Sequence, residues 1–119
     1  MIRILFVLCG LLVYTSNGHS QNTSSNDSIS APNTFTPNGD GINDVWVIDN
    51  IENYPLAKIE IFDRWGQLVF RTIGYPPSKR WEGRNKGKPL PSATYYFVID
   101  LKDPTIEKQL YTGSLTIVY

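Results

Sequence analysis

The sequence predicts an all-β fold, a single antiparallel β-sandwich of about seven strands that is immunoglobulin-like in size. From Asn33 onward, apolar residues recur with a period of two in short runs, which is the spacing of half-buried strands. The eight prolines and nine glycines fall mostly between these runs, where turns are expected. No stretch shows helical periodicity of useful length. Several short strands with turn residues between them are typical of a two-sheet sandwich.

The first strands are predicted from two apolar segments and a hairpin. Residues 45–48 form a continuous apolar run of strand length, and residues 58–61 alternate so that two isoleucines share a face. A further strand over residues 67–72 follows the loop 63–66. The glycine that closes this loop suits the left-handed position of a hairpin that contains a bulge.

The last strands alternate more regularly. Residues 94–101 predict a strand with four apolar side chains on one face, namely Tyr95, Phe97, Ile99 and Leu101. Residues 113–119 predict a final strand on which Leu115, Ile117 and Tyr119 share a face. These faces are expected to form the core.

The N-terminal segment is typical of a secretory signal peptide over residues 1–20. Arg3 supplies a positive charge, an apolar run follows, and small residues precede a cleavage site after Ser20. Cleavage after Gly18 is the alternative. The apolar run is shorter than the roughly 20 residues that span a bilayer, so no stable membrane span is expected after cleavage.

The segment between the signal peptide and the domain is polar. Residues 21–31 are rich in Asn, Ser and Thr, and they bury too little apolar surface to offset the entropy of ordering. We therefore expect a flexible leader over 21–31 and a single domain over 32–119.

Charge and composition exclude several functions. The chain carries 11 basic and 11 acidic residues, and this balance offers no field that attracts nucleic acid. The single cysteine, Cys9, and the single histidine, His19, both lie in the segment that cleavage after Ser20 removes. Cysteine and histidine nucleophiles and ordinary zinc sites are then unavailable, and we expect a domain that is not an enzyme.

Oxygen-bearing side chains surround two glycines in the segment 38–44, and two interpretations stay open. In the first, Asn and Asp side chains cap a tight double turn by bonding their own backbone. In the second, they bind calcium weakly, at about 0.1–1 mM, as some extracellular modules do. The candidate ligands are Asn38, Asp40, Asn43 and Asp44. The segment does not complete an EF-hand pattern, because no Glu follows at the required distance.

Trp65 lies in the predicted hairpin beside Arg64, whose guanidinium is placed to cover the indole face. We expect Trp65 to be a structural plug, and the alternative is that Arg64 and Trp65 belong to a docking surface. Because exposed aromatic side chains also stack on sugar rings, the alternative function is a small carbohydrate- or surface-binding module.

A basic stretch punctuated by proline and glycine lies between the predicted hairpin and the strand over 94–101. It is either a solvated loop or a recognition patch for a secretion component or an acidic surface polysaccharide. Its members are Lys79, Arg80, Arg84, Lys86 and Lys88.

Three motifs keep a fixed order along the chain. The most specific is Phe35-Thr36-Pro37-Asn38-Gly39-Asp40-Gly41-Ile42-Asn43-Asp44. Arg64-Trp65-Gly66 with Leu68-Val69-Phe70 is the second, and Thr94-Tyr95-Tyr96 is the third. Together they resemble the gliding motility-associated C-terminal domain family, the type B sorting domain of type IX secretion in Bacteroidetes. Ala93 departs from the pattern, since the family usually has glycine there.

The resemblance implies a non-catalytic sorting module, exported through the periplasm to the cell surface or the medium. Its implied partner is the outer-membrane type IX secretion machinery. Such a domain normally follows a large cargo, whereas here only the polar leader stands between signal peptide and domain. The chain is then a fragment of a longer gene product, an exported orphan module, or a small surface subunit.

Overall fold

The structure, a computed structural model, describes residues 28–119. In this part of the chain the elements are seven strands: β1 Thr34–Phe35, β2 Lys58–Phe62, β3 Leu68–Ile73, β4 Arg84–Asn85, β5 Lys88–Pro89, β6 Ala93–Asp100 and β7 Leu110–Ile117. Two 3-10 turns, Ile51–Asn53 and Pro77–Lys79, are its helical elements. The predicted signal peptide and most of the predicted leader lie outside the described residues.

Five strands form one mixed sheet in the order β1-β7-β6-β2-β3. The pairs among β2, β3, β6 and β7 are antiparallel, whereas β1 runs parallel to β7 with Thr34 opposite Thr116. Strands β4 and β5 form a separate two-stranded hairpin. The all-β prediction is therefore confirmed, but the sheet is mixed rather than purely antiparallel.

The alternation in the sequence places one face of the sheet in the core. Three of the four side chains predicted to share a face lie in β6 and Leu101 follows it directly, and all four are buried, which confirms that prediction. Ile59 and Ile61 of β2 and Leu115 and Ile117 of β7 are fully enclosed on the same face. Tyr119, predicted to share their face, is half exposed at the end of the chain.

Among the described residues, the layer that covers this core face consists of loop segments and buried aromatic side chains and contains no second large sheet. Trp46 is fully buried, and its backbone N–H donates to the Trp81 carbonyl at 2.9 Å while its indole Nε1 donates to the Pro32 carbonyl at 2.9 Å. The Tyr75 hydroxyl donates to the Trp46 carbonyl at 2.6 Å and accepts from the Trp81 N–H at 2.8 Å. Aromatic packing and single hydrogen bonds to the backbone thus hold this layer in place instead of strand pairing.

The predicted strand over residues 45–48 is wrong, and the described residues form no clear two-sheet sandwich. Residues 45–48 alternate in burial, but they belong to no strand. Their backbone makes isolated hydrogen bonds, such as that of the Trp46 N–H to the Trp81 carbonyl. No strand of residues 28–119 pairs with them.

Residues assigned to the leader by their composition pack against the domain where the structure describes them. Ile29 is buried in the core, and Ser30 exchanges two backbone hydrogen bonds with Asp49 at 3.2 and 2.8 Å. The Asn50 side chain also donates to the Ser28 carbonyl at 3.0 Å. The packed unit therefore includes residues from 29 onward.

The part of the chain that the structure describes contains no helix long and apolar enough to cross a membrane.

Candidate functional site

The turn between β2 and β3, residues 63–66, is here called the hairpin tip, and its own hydrogen bonds hold it rigid. The Asp63 N–H donates to the Gln67 carbonyl at 2.9 Å, and one Asp63 carboxylate oxygen accepts from the N–H groups of Trp65 and Gln67 at 2.8 and 2.9 Å. Gly66 has φ 79°, which confirms the predicted left-handed glycine. The β2–β3 register also shifts between Ile61 and Phe62, which confirms the predicted bulge.

Trp65 is 75% exposed at this tip, so the expectation that it is a structural plug is wrong. The Asp63 carboxylate fixes the backbone N–H groups of Trp65 and Gln67, and the Trp65 indole projects into solvent instead of reaching the core. The Arg64 guanidinium carbon lies 5.0 Å from the centre of the Trp65 ring, the predicted cation–π arrangement. The structure thus displays an aromatic and a cationic group together.

A cleft of about 260 Å³ lies between the hairpin tip and the start of β6. Its walls combine the hairpin tip with the segment 90–95, which contributes the exposed Ser92 and Thr94. The Tyr95 hydroxyl donates to the Pro91 carbonyl at 2.9 Å, and burial raises the pKa of Tyr95. Aromatic, cationic and hydroxyl groups therefore line one concave surface.

An apolar row crosses the solvent-facing side of the sheet next to the hairpin tip. Phe62 of β2 lies opposite Leu68 of β3 on one side and Tyr96 of β6 on the other. Leu68 and Tyr96 are 45% and 48% exposed, and Phe62 is half-buried. This row was not predicted from the sequence, although Tyr96, an aromatic residue on the more polar face of β6, was its signal. We call these three residues the apolar row.

The segment 38–44 bonds to itself through its side chains. The two carboxylate oxygens of Asp44 accept from the N–H groups of Gly39 and Gly41 at 2.8 and 2.6 Å. Asp40 accepts from the Ile42 N–H at 2.8 Å, and the Asn38 side chain accepts from the Asp40 N–H at 3.1 Å.

The fourth candidate ligand of that segment has a different role. The Asn43 carbonyl accepts from the Thr36 N–H at 2.9 Å, and Asn43 itself adopts φ 54°. The segment thus has the hydrogen bonds of the capped double turn. Within residues 28–119, no cluster of three or more His, Cys, Asp or Glu side chains is arranged to hold a metal ion.

The five basic residues fall on two elements. Arg84, Lys86 and Lys88 lie on the exposed β4–β5 hairpin, where Arg84 donates to the Gly87 carbonyl at 3.1 Å and lies 3.9 Å from the Glu82 carboxylate. Lys79 ends a 3-10 turn and donates to the Ile73 carbonyl at 3.4 Å, with Arg80 beside it. The structure therefore brings three of the five together and leaves the other two on a separate turn.

The comparisons with known proteins identify the class of this domain. Residues 29–117 match the family model described as the CHU_C type IX secretion signal domain, and the matched range covers most of the chain. The chain belongs to this family. It is a sorting module for type IX export, and the family consists of non-catalytic modules. Membership implies contact with the type IX secretion machinery and export across the outer membrane to the cell surface or the medium.

The fold is also similar to part of a solved protein. PorZ from Porphyromonas gingivalis, described as an essential bacterial surface component of the type IX secretion system, matches with a TM-score of 0.55 and 20% identity. The match covers 84% of this chain and 13% of the PorZ chain, so the chain spans a small part of that protein's length. At this identity the likeness shows the fold. No match was found among curated proteins.

Proposed function

We propose that the type IX machinery reads this domain as a folded unit and that it contacts the hairpin tip together with the apolar row. The observation that carries the proposal is the exposure of Trp65 in a turn whose backbone is fixed by Asp63. An indole exposed to water contributes little to the free energy of folding. The same indole buried by a partner contributes the large binding free energy typical of interface tryptophans.

The geometry of the surroundings supports the same surface. The hairpin tip joins Phe62 and Leu68, the two members of the apolar row that lie on β2 and β3. A partner that covers Trp65 and extends along β2 and β3 therefore meets further apolar area. Arg64 adds a charge at the rim, where arginine is commonly enriched in interfaces.

The test is an export assay on a fluorescent reporter that carries residues 21–119 at its C-terminus. Trp65→Ala is expected to lower export at least tenfold, because truncation of a central interface tryptophan typically costs about 2 kcal/mol or more. Its melting temperature should stay within about 4 °C of the parent, because the side chain is mostly exposed.

Leu56→Ala is the matched control for that assay. Leu56 is 65% exposed but precedes β2, at the end of the strand opposite the hairpin tip. It removes a similar exposed apolar group from a different surface, and export should be unchanged. Equal export of the Trp65→Ala and parent reporters would contradict the proposed contact surface.

A second candidate function is carbohydrate binding, and the cleft beside the hairpin tip favours it. Sugar rings stack on an exposed indole, and the hydroxyls of Ser92 and Thr94 lie in the same cleft to bond sugar hydroxyls. Retention of the parent on a surface-polysaccharide column, lost in Trp65→Ala without loss of stability, supports this function. Equal elution of both proteins counts against it.

The basic residues and the chain boundaries belong to the same proposal. Arg84, Lys86 and Lys88 form an exposed cationic hairpin that suits an acidic partner, and binding through it should weaken as salt is raised. The proposed processing is cleavage of the signal peptide 1–20 in the periplasm, followed by export of residues 21–119 with the domain, whose packed unit begins at residue 29. Mass spectrometry of the exported chain tests the cleavage position.

A further inference from the structure

One edge of the five-stranded sheet is open along most of β7. Strand β1 pairs with only the last part of β7, where Thr34 and Phe35 lie opposite Thr116 and Ile117. Beyond that point, residues 110–114 have β6 on one side and no strand of residues 28–119 on the other. We call residues 110–114 the free edge.

The hydrogen bonds of β7 show which backbone groups point outward along the free edge. The Thr116 N–H donates to the Asn33 carbonyl on the β1 side at 2.9 Å, whereas the Gln109 carbonyl accepts from Leu101 on the β6 side at 2.8 Å. Because these directions alternate along an antiparallel strand, the N–H and C=O groups of Leu110, Thr112 and Ser114 face the open side. Each is ready to pair with an extended backbone.

The chain does not protect this edge in the usual way. Natural edge strands carry lysine, proline or a bulge that discourages pairing with another chain. Residues 110–119 contain no charged residue and no proline, and the pairing of β7 with β6 runs without a register shift. Leu110 is 53% exposed at the start of the edge. The free edge is therefore suited to β-strand addition.

We propose that the occupant of the free edge is a second copy of this chain, paired antiparallel through β7 about a two-fold axis at Thr112. In this arrangement Leu110 of one copy lies opposite Ser114 of the other, and the two Thr112 residues face each other. The three outward-facing residues of each copy then satisfy one another, and the two sheets join into one continuous sheet.

The length of the free edge fits this pairing at both ends. The edge begins where β7 begins, at Leu110, and it closes where the Asn33 carbonyl takes the Thr116 N–H. Thr112 is the middle residue of the free edge, residues 110–114. The chain before β1 also leaves the edge, because the Pro32 carbonyl is held by the Trp46 indole and Ile29 enters the core.

The absence of charge favours a second copy over other strands. A two-fold axis brings every residue near the axis close to its own counterpart, so a charged residue there would repel itself. The free edge has none, and threonine opposite threonine is a favourable cross-strand pair. A contact confined to two short edges buries little area, so the association is expected to be weak and concentration-dependent.

The test is sedimentation of the purified chain from low micromolar to millimolar concentration, compared with two variants at Thr112. The parent should shift from the mass of one chain toward twice that mass. Thr112→Pro removes an outward N–H that pairs with no strand of residues 28–119 in one copy, and it should stay monomeric while keeping its fold. Thr112→Val keeps the N–H and should assemble like the parent.

Hydrogen exchange of the parent gives a second measurement that does not depend on the proline variant. The amide protons of Leu110, Thr112 and Ser114 should exchange quickly in dilute solution and about tenfold more slowly once nine-tenths of the chain is dimeric. A chain that is monomeric at every concentration overturns the proposal. So does a dimer that Thr112→Pro leaves intact, or slow exchange of these amides in the dilute monomer, which would mean that another segment of the chain covers the edge. Reporter export tests a different surface, so each result stands without the other.

Discussion

At the scale of single residues, Tyr75 connects segments that are far apart in the sequence. Its hydroxyl donates to the Trp46 carbonyl and accepts from the Trp81 N–H, both in the buried layer that covers the sheet. No strand pairing is available to satisfy these two backbone groups there. One side chain therefore satisfies both of these backbone groups.

Tyr75→Phe should destabilise the domain by about 1–3 kcal/mol, because it leaves a buried carbonyl and a buried N–H without partners. The melting temperature should fall by several degrees in thermal denaturation. Tyr119→Phe is the control, since it removes a comparable hydroxyl-to-carbonyl bond, to Leu90, at an exposed position. An equal melting temperature for Tyr75→Phe and the control would contradict this role.

The same side chain predicts how stability changes with alkaline pH. Burial raises the pKa of Tyr75, with opposing contributions from the Trp81 N–H and the Arg80 charge. A raised pKa in the folded state means that this stabilisation is complete below the unfolded value of about 10 and is lost as the pH rises above it. Urea denaturation should show a steeper alkaline loss for the parent than for Tyr75→Phe. Parallel curves would contradict the burial of this hydroxyl.

The two interpretations of the segment 38–44 differ in the role of Asp44. Each of its carboxylate oxygens accepts one backbone N–H group, which is the pattern of the capped turn and occupies lone pairs that a calcium ion would use. We predict no heat in a calorimetric titration with calcium and the same melting temperature in calcium and in chelator. A binding heat that Asp44→Asn abolishes would support the calcium site instead.

At the scale of elements, the pairing of β6 with β7 depends on a close approach. Phe97 lies opposite Gly113, and a Cβ at Gly113 would lie 2.7 Å from the Phe97 ring. The ring is also packed against Trp46 at 5.1 Å between centroids, so it has little room to move. The glycine is therefore required by packing.

Gly113→Ala should destabilise the domain by about 1–3 kcal/mol, the usual range for forcing an extra carbon into a packed site. Ser114→Ala is the matched control, because Ser114 is the next residue and is exposed on the opposite face. Chemical denaturation of both variants checks the difference. If Gly113→Ala is as stable as the control, the ring does not cover this position.

The strands that could be predicted from the sequence are those whose signal is local. Alternation places β2, β6 and β7 within a few residues of their observed bounds, and the loop closed by Gly66 places β3 equally well. The two-residue β1 is too short to show any periodicity. Its parallel pairing with β7 joins segments that are far apart in the sequence, and no local pattern predicts it. The strand predicted over residues 45–48 is wrong because an apolar run indicates burial but does not show whether a strand is available to pair with it.

At the scale of the whole molecule, the site was harder to predict than the fold. Trp65 was expected inside because large aromatics usually are, and only the bonds of Asp63 to the turn explain its exposure. The apolar row forms because the register of β2, β3 and β6 aligns its three members, and this register could not be predicted from the sequence. The order of the three motifs was sufficient to predict the family.

Export by the whole folded domain is the central claim, and one measurement tests it most directly. A signal peptide and a fluorescent protein that folds in the periplasm would be fused ahead of residues 21–119. The fusion would be produced in a type IX-competent bacterium and in its secretion-deficient mutant. We predict fluorescence outside the competent cells and retention in the mutant. Retention in the periplasm of both strains would contradict the claim that this domain is a sufficient export signal.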